Sequence, residues 1–278
     1  MGGRDHHKTN RADRAAAAPG WLRRRGALLP LLLLWGPACA ELPPTAWKEL
    51  REAENEYKAE RYDAAVARLD KVLRDYPACS GSDEAYYLRS LCRARLGRSD
   101  DAKTDALACI KYASQADLKA KAQVSLGSLL FEQGRLNEAL PHYAAAIGRL
   151  PDKGAMDLVQ YRYGLCLQRE GRWREARAEF ATVCNRYPGG PMAEHARRAA
   201  EWRNEFFSIQ CGACRDQGGA NQLKDELSKA GLPVRVEKHL RSGEELHMVY
   251  VGRYARYEQA QEALGSVRRR APGAQVVP

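Results

Sequence analysis

The sequence predicts a two-part chain, an all-α helical solenoid followed by a small α+β domain of order βαββαβ. Ala65, Ala102, Ala139 and Ala176 recur at intervals of 37 residues inside matching segments, the mark of a repeat array. From Phe206 onward the apolar period changes from helical spacing to strict alternation, so a different architecture begins there. With 278 residues, 45% hydrophobic and 29% charged, the chain has globular composition and room for two cores. Disorder, collagen and a multi-span membrane protein are argued against on the same ground.

The elements follow in order. Residues 1–25 hold Arg4, Lys8, Arg11, Arg14, Arg23, Arg24 and Arg25 against Asp5 and Asp13, which is +5 of the chain's formal +10. A short apolar run from Ala27 to Trp35 comes next, too short to span a bilayer, then Gly36-Pro37-Ala38-Cys39-Ala40. A basic stretch, an apolar stretch and a small-x-small site make a secretory signal peptide over residues 1–40, cleaved before Glu41. The remainder carries +5 over 238 residues with no dense basic stripe, so nucleic acid is not an expected partner. Arg24-Arg25 loosely fits a twin-arginine signal, and the export route stays open. Cys39 offers a lipid anchor as an alternative, although Gly36 stands where such signals carry Leu. Membrane association is expected only if Cys39 is lipidated.

Residues 41–204 form the repeat region. Around each repeat Ala the same pattern returns: a small residue twelve positions before it (Ala53, Ser90, Gly127, Gly164) and another residue four after (Leu69, Ala106, Tyr143, Phe180). Pro77, Pro151 and Pro188 close three of the four units. This is a helix, a short turn and an antiparallel helix, with small residues where the two approach, and such pairs bury their apolar faces by stacking. The pattern resembles the tetratricopeptide repeat, lengthened to 37 residues, over about residues 45–190. The resemblance implies an array that binds other proteins. Tyr62 and Trp173 share one repeat position and are expected to pack at the turn. Tyr57, Tyr87, Phe131 and Tyr161 fall on the inner face of the first helices, which in this family lines a concave groove. Either they grip a partner peptide or they are buried between neighbouring helices. Residues 191–206 read as one more amphipathic helix capping the array.

Residues 205–278 alternate differently. Phe207, Ile209 and Cys211 share one face of a strand, a helix follows from about Gly219 to Ala230, and a strand runs from Pro233 to Lys238. A strand over Glu245–Val251, a helix over Tyr257–Arg268 and a short strand over Ala274–Val277 complete the unit. This order implies one antiparallel, ferredoxin- or RNP-like sheet with both helices on one face and the other face open. The segments Phe207 to Ala213 and Val249-Tyr250-Val251-Gly252-Arg253-Tyr254, with the helix between them, resemble a SPOR domain, the sporulation-related repeat. That resemblance implies binding to peptidoglycan, favouring glycan strands stripped of stem peptides, with many members gathering at division sites. The family's usual Arg of the third strand falls on Met248, its aromatic on Leu246 and its Gly-Pro-Phe on Gly252-Arg253-Tyr254. Either glycan binding is altered, or Leu246, Met248 and Tyr250 form a protein surface.

Strand parity puts Ile209, Cys211, Val249 and Val251 against the helices, leaving Gln210, Leu246, Met248, Tyr250 and Gln275 on the open face. With Gly212 of the family's Gln-x-Gly, these are the candidate glycan-binding residues: an amide bonds hydroxyl and acetamido groups, and a ring covers a pyranose.

Eight cysteines include Cys39, and seven remain after cleavage. Cys92, Cys109 and Cys166 take core positions of the repeats, while Cys211-Gly212-Ala213-Cys214 has redox-motif spacing on a unit too short for a thioredoxin. No metal-ligand spacing, phosphate loop or nucleophile motif appears, so no catalytic residue, metal or cofactor is nominated. The expected function is therefore a non-catalytic periplasmic or cell-envelope protein that holds peptidoglycan glycan strands by its C-terminal domain. Protein or peptide partners would bind its repeats, with a role in cell division. Two alternatives stand: a protein-interaction scaffold in envelope or outer-membrane assembly without glycan binding, and a thiol-disulfide protein using Cys211 and Cys214.

Overall fold

A computed structural model describes residues 41–151, 154–202, 204–241 and 243–278. The expected signal peptide and Cys39 lie outside them. Four helical hairpins come first: α1 (Pro44–Lys58) with α2 (Tyr62–Asp75), α3 (Ser82–Arg95) with α4 (Ser99–Tyr112), α5 (Ala116–Glu132) with α6 (Leu136–Ala146), and α7 (Met156–Arg169) with α8 (Trp173–Arg186). The repeat alanines are buried throughout. The position twelve residues earlier shrinks as its opposite grows. A Cβ on Gly127 would lie 3.1 Å from the Tyr143 ring, and one on Gly164 would lie 2.6 Å from Phe180 Cε1. Where the second helix carries Leu69 or Ala106 instead, the first helix has room for Ala53 or Ser90. Each first helix ends in a left-handed residue, Glu60, Gly97, Gly134 or Gly171, whose φ lies between 60° and 76°.

Successive repeats are joined by apolar packing and by buried carboxylates. Asp157 accepts the Met192 N–H at 3.2 Å, and Asp83, at the same repeat position, accepts the Ser114 N–H at 3.3 Å. Asp105, 2% exposed at its side chain, takes Arg89 at 2.7 Å and Arg93 at 2.8 Å, and Asp70 from α2 closes the cluster.

The C-terminal part is β1 (Phe207–Cys214), α10 (Gln217–Ser228), β2 (Val234–Arg241), β3 (Glu244–Tyr254), α11 (Tyr257–Arg268) and β4 (Gln275–Val277). Its strands lie in the order β2-β3-β1-β4, every neighbouring pair antiparallel. Ile209, Val249 and Val251 pack against Ala220 and Leu227 of α10 and Leu264 and Val267 of α11. The Asp216 carboxylate caps α10 by accepting the Gly219 N–H at 2.7 Å.

The capping helix is shorter than its pattern predicts. The helix α9 spans only Ala193–Ala200, because Trp202 leaves it to join Trp173, Phe207, Tyr254, Tyr257 and Ala260 in a cluster between the repeats and the sheet domain. Trp173 is buried as its repeat position implies, yet its ring lies 4.8 Å from that of Phe207 in β1. Tyr62, its counterpart in the first repeat, meets Tyr57 edge-on at 5.6 Å. Phe207 lies 5.6 Å from Tyr257, and the Arg169 guanidinium lies 3.7 Å from the centre of the Tyr257 ring. A Cβ on Gly171 would stand 2.7 Å from the Ala255 carbonyl oxygen, so turn and sheet domain touch backbone to backbone.

Candidate functional site

Strand register builds the site on the face of the sheet opposite α10 and α11. Gln210 stands across from Tyr250 in β3 and from Gln275 in β4, and Tyr250 stands across from Arg235 in β2. Residues directly opposite in antiparallel strands share a face, so Gln275, Gln210, Tyr250 and Arg235 form one row across all four strands. At about 4.8 Å per strand, the row is roughly 14 Å wide. Two amides, a phenol ring and a guanidinium thus lie side by side.

Arg235 organises its end of the row. Its Nε donates to Glu237 Oε1 at 2.6 Å, Nη1 to the Gly252 carbonyl at 2.6 Å and Nη2 to Ser208 Oγ at 2.7 Å. The guanidinium carbon sits 4.8 Å from the Tyr250 ring centre and 5.2 Å from that of Phe206. Burial opposes the charge on Glu237, but Arg235 outweighs it and holds that carboxyl below its ordinary range. Tyr250 is only 6% exposed, with its Oη 3.5 Å from His239 Nε2.

The other nominated residues are placed less uniformly. Met248 pairs with Ala213 and Glu237 on the same face but is wholly buried, and Leu246 is half-buried across from His239. Gly212 sits at a register shift in β1, where a Cβ would stand 2.8 Å from Leu223 Cδ2 of α10. Its lack of a side chain therefore serves the helix packing. Arg235 and Phe206 escaped the sequence reading. The signal for Arg235 was available, since Val234 and Val236 point inward and the residue between them points out.

Of the groove aromatics, Tyr57 and Tyr87 line one cleft of about 420 Å³ with Leu50, Leu88 and Leu91, edged by Glu54, Lys58, Glu84, Asp117 and Lys121. Burial pushes the Tyr87 phenol up to about 12. Phe131 lines a second crevice, shared with Phe207, Tyr257, Val276 and Pro278 of the sheet domain. Tyr161 lines a third with His195, Trp202 and Pro278. The four rings are half-buried and line three separate crevices.

Of the paired cysteines, Cys211 is held in its thiol form. Burial pushes the Cys211 thiol up to about 11, and its Sγ donates to the Ile209 carbonyl. The thiolate that disulfide exchange requires is scarce at neutral pH.

Comparison with known proteins follows the same division. Tetratricopeptide repeats match residues 50–107, 103–154 and 158–190, and the SPOR domain matches residues 204–278. The chain therefore carries tetratricopeptide repeats followed by a C-terminal SPOR domain. No curated protein matches it. Among solved structures, YrrB, described as a TPR protein with an unusual peptide-binding site, is 22% identical over 58% of this chain and 80% of its own, with a TM-score of 0.47. MamA is 21% identical over 56% of this chain and 83% of its own, TM-score 0.46. A thermophilic TPR protein of Thermus thermophilus is 17% identical over 55% of this chain and 98% of its own, TM-score 0.31.

Proposed function

We propose that this chain is a non-catalytic cell-envelope protein whose SPOR domain holds peptidoglycan glycan strands while its repeats hold a protein partner. The row Gln275-Gln210-Tyr250-Arg235 carries the reading. Amides donate to and accept from sugar hydroxyl and acetamido groups at once, which no apolar or singly charged side chain does. The Tyr250 ring beside them, 6% exposed and covered by the Arg235 guanidinium, backs the row and holds that cation next to the amides. Repeats and SPOR domain are both binding modules, and the cleft of Tyr57 and Tyr87, apolar at its base and charged at its rim, suits a peptide segment. Function in the periplasm and at sites of cell division belongs to the same proposal.

Co-sedimentation of the full chain with purified peptidoglycan sacculi, before and after amidase treatment, tests it. Retention rises on stripped glycan and falls about tenfold in Gln210→Ala, the effect of losing an amide that makes two hydrogen bonds. Equal recovery in the supernatant with and without sacculi sinks the glycan reading.

A further inference from the structure

The row is neutral along most of its length and cationic at one end. There two guanidinium groups lie over the Phe206 ring, Arg235 at 5.2 Å and Arg253 at 4.9 Å from its centre. Gly252, with φ 73°, interrupts the alternation of β3, and Arg253 thereby comes to the side occupied by Phe206. Nothing else suits that turn, since a Cβ on Gly252 would stand 2.4 Å from the Tyr254 ring. The two arginines differ in how they are used. Arg235 is spent on Ser208, the Gly252 carbonyl and Glu237, and the last partner offsets its charge. Arg253 is exposed and makes no hydrogen bond or ion pair among the described residues. The Phe206 face keeps its planar group close to the row without neutralising it.

Resting on the glycan-binding reading, we propose that Arg253, stacked on Phe206, is the subsite for a carboxylate carried by the bound strand. The sugar polymer at issue changes charge in the relevant way. An amidase that removes a stem peptide hydrolyses an amide at the lactyl group, leaving a carboxylate on alternate sugars where a bulky peptide had been. A planar guanidinium meets a carboxylate through two parallel N–H···O bonds, which selects that group over a hydroxyl or an amide. The amides of Gln210 and Gln275 then read the sugars and Arg253 reads the absence of the peptide. Geometry favours a stripped strand, whose carboxylate sits on the lactyl group itself, over one that carries a bulky peptide there.

The test measures binding of the full chain to a fluorescent stripped glycan strand and to the same strand with its carboxylates reduced to alcohols. The native strand binds about fivefold more tightly than the reduced one, as an exposed charge-assisted pair warrants. That preference disappears in Arg253→Gln, and part of it returns in Arg253→Lys. Raising the salt concentration narrows the gap in the wild-type chain. Equal affinity of the wild-type chain for both strands overturns the carboxylate subsite while leaving glycan binding intact. Failure of both strands to bind overturns the two readings together.

Discussion

Asp105 shows how much of the array rests on single side chains. It is the buried carboxylate between Arg89 and Arg93, which are 13% and 18% exposed and which, among the described residues, also share Asp70. Removing one partner from a buried ion cluster leaves uncompensated charge, a loss of about 3 kcal/mol. Asp105→Ala is expected to lower stability by that amount in a urea titration, and a change below about 0.5 kcal/mol would place the cluster among weak surface pairs. On the sheet face, parity alone placed Gln210, Tyr250 and Gln275 together. Their alignment with Arg235 depends on the β2-β3 register, to which the sequence offers no counterpart. The burial of Met248 was hidden for the same reason: a strand position fixes a face, whereas exposure depends on what the neighbouring strands bring alongside.

Helices were legible because a 37-residue repeat of small and large positions records their packing directly. Gly164 tests that record. Adding a methyl gains about 1 kcal/mol of helix propensity, but the new Cβ lies 2.6 Å from Phe180 Cε1, and overpacking costs about 1–3 kcal/mol. Gly164→Ala should therefore be destabilising by thermal unfolding, and more so than Gly127→Ala, whose Cβ meets Tyr143 at 3.1 Å. The reverse order would mean that the ring of Phe180 moves aside easily. The end of α9 was illegible. Residues 191–206 keep helical spacing throughout, yet Trp202 gains more from the cluster with Trp173 and Phe207 than from another helical turn. No local pattern announces a partner that sits on a different element.

At the scale of the molecule, one repeat turn does two jobs. Gly134 and Gly171 hold φ of 76° and 75°, but a Cβ on Gly134 meets open space, whereas one on Gly171 meets the Ala255 oxygen at 2.7 Å. Alanine costs about 1–2 kcal/mol at either from the left-handed backbone. Only Gly171→Ala should also loosen the junction, seen as faster proteolysis near residues 201–206 and greater quenching of Trp173 fluorescence by acrylamide. Equal behaviour of the two variants would show that the repeats and the SPOR domain do not depend on this contact. The junction also explains why Tyr57 and Phe131, which share one repeat position, and Tyr87 and Tyr161, which share another, have unequal surroundings. Phe131 and Tyr161 line crevices with sheet-domain residues, while Tyr57 and Tyr87 line a cleft of repeat residues alone. Repeat spacing cannot foresee that division, because the domain that creates it lies outside the repeat.

These placements separate the two surfaces proposed for binding, and the central claim is that glycan belongs to the sheet. The direct measurement is the affinity of the full chain for a stripped glycan strand in wild type, Gln210→Ala and Tyr87→Ala. The account predicts a loss of about tenfold in Gln210→Ala and an unchanged value in Tyr87→Ala. A loss confined to Tyr87→Ala, or the same affinity in all three, would contradict it.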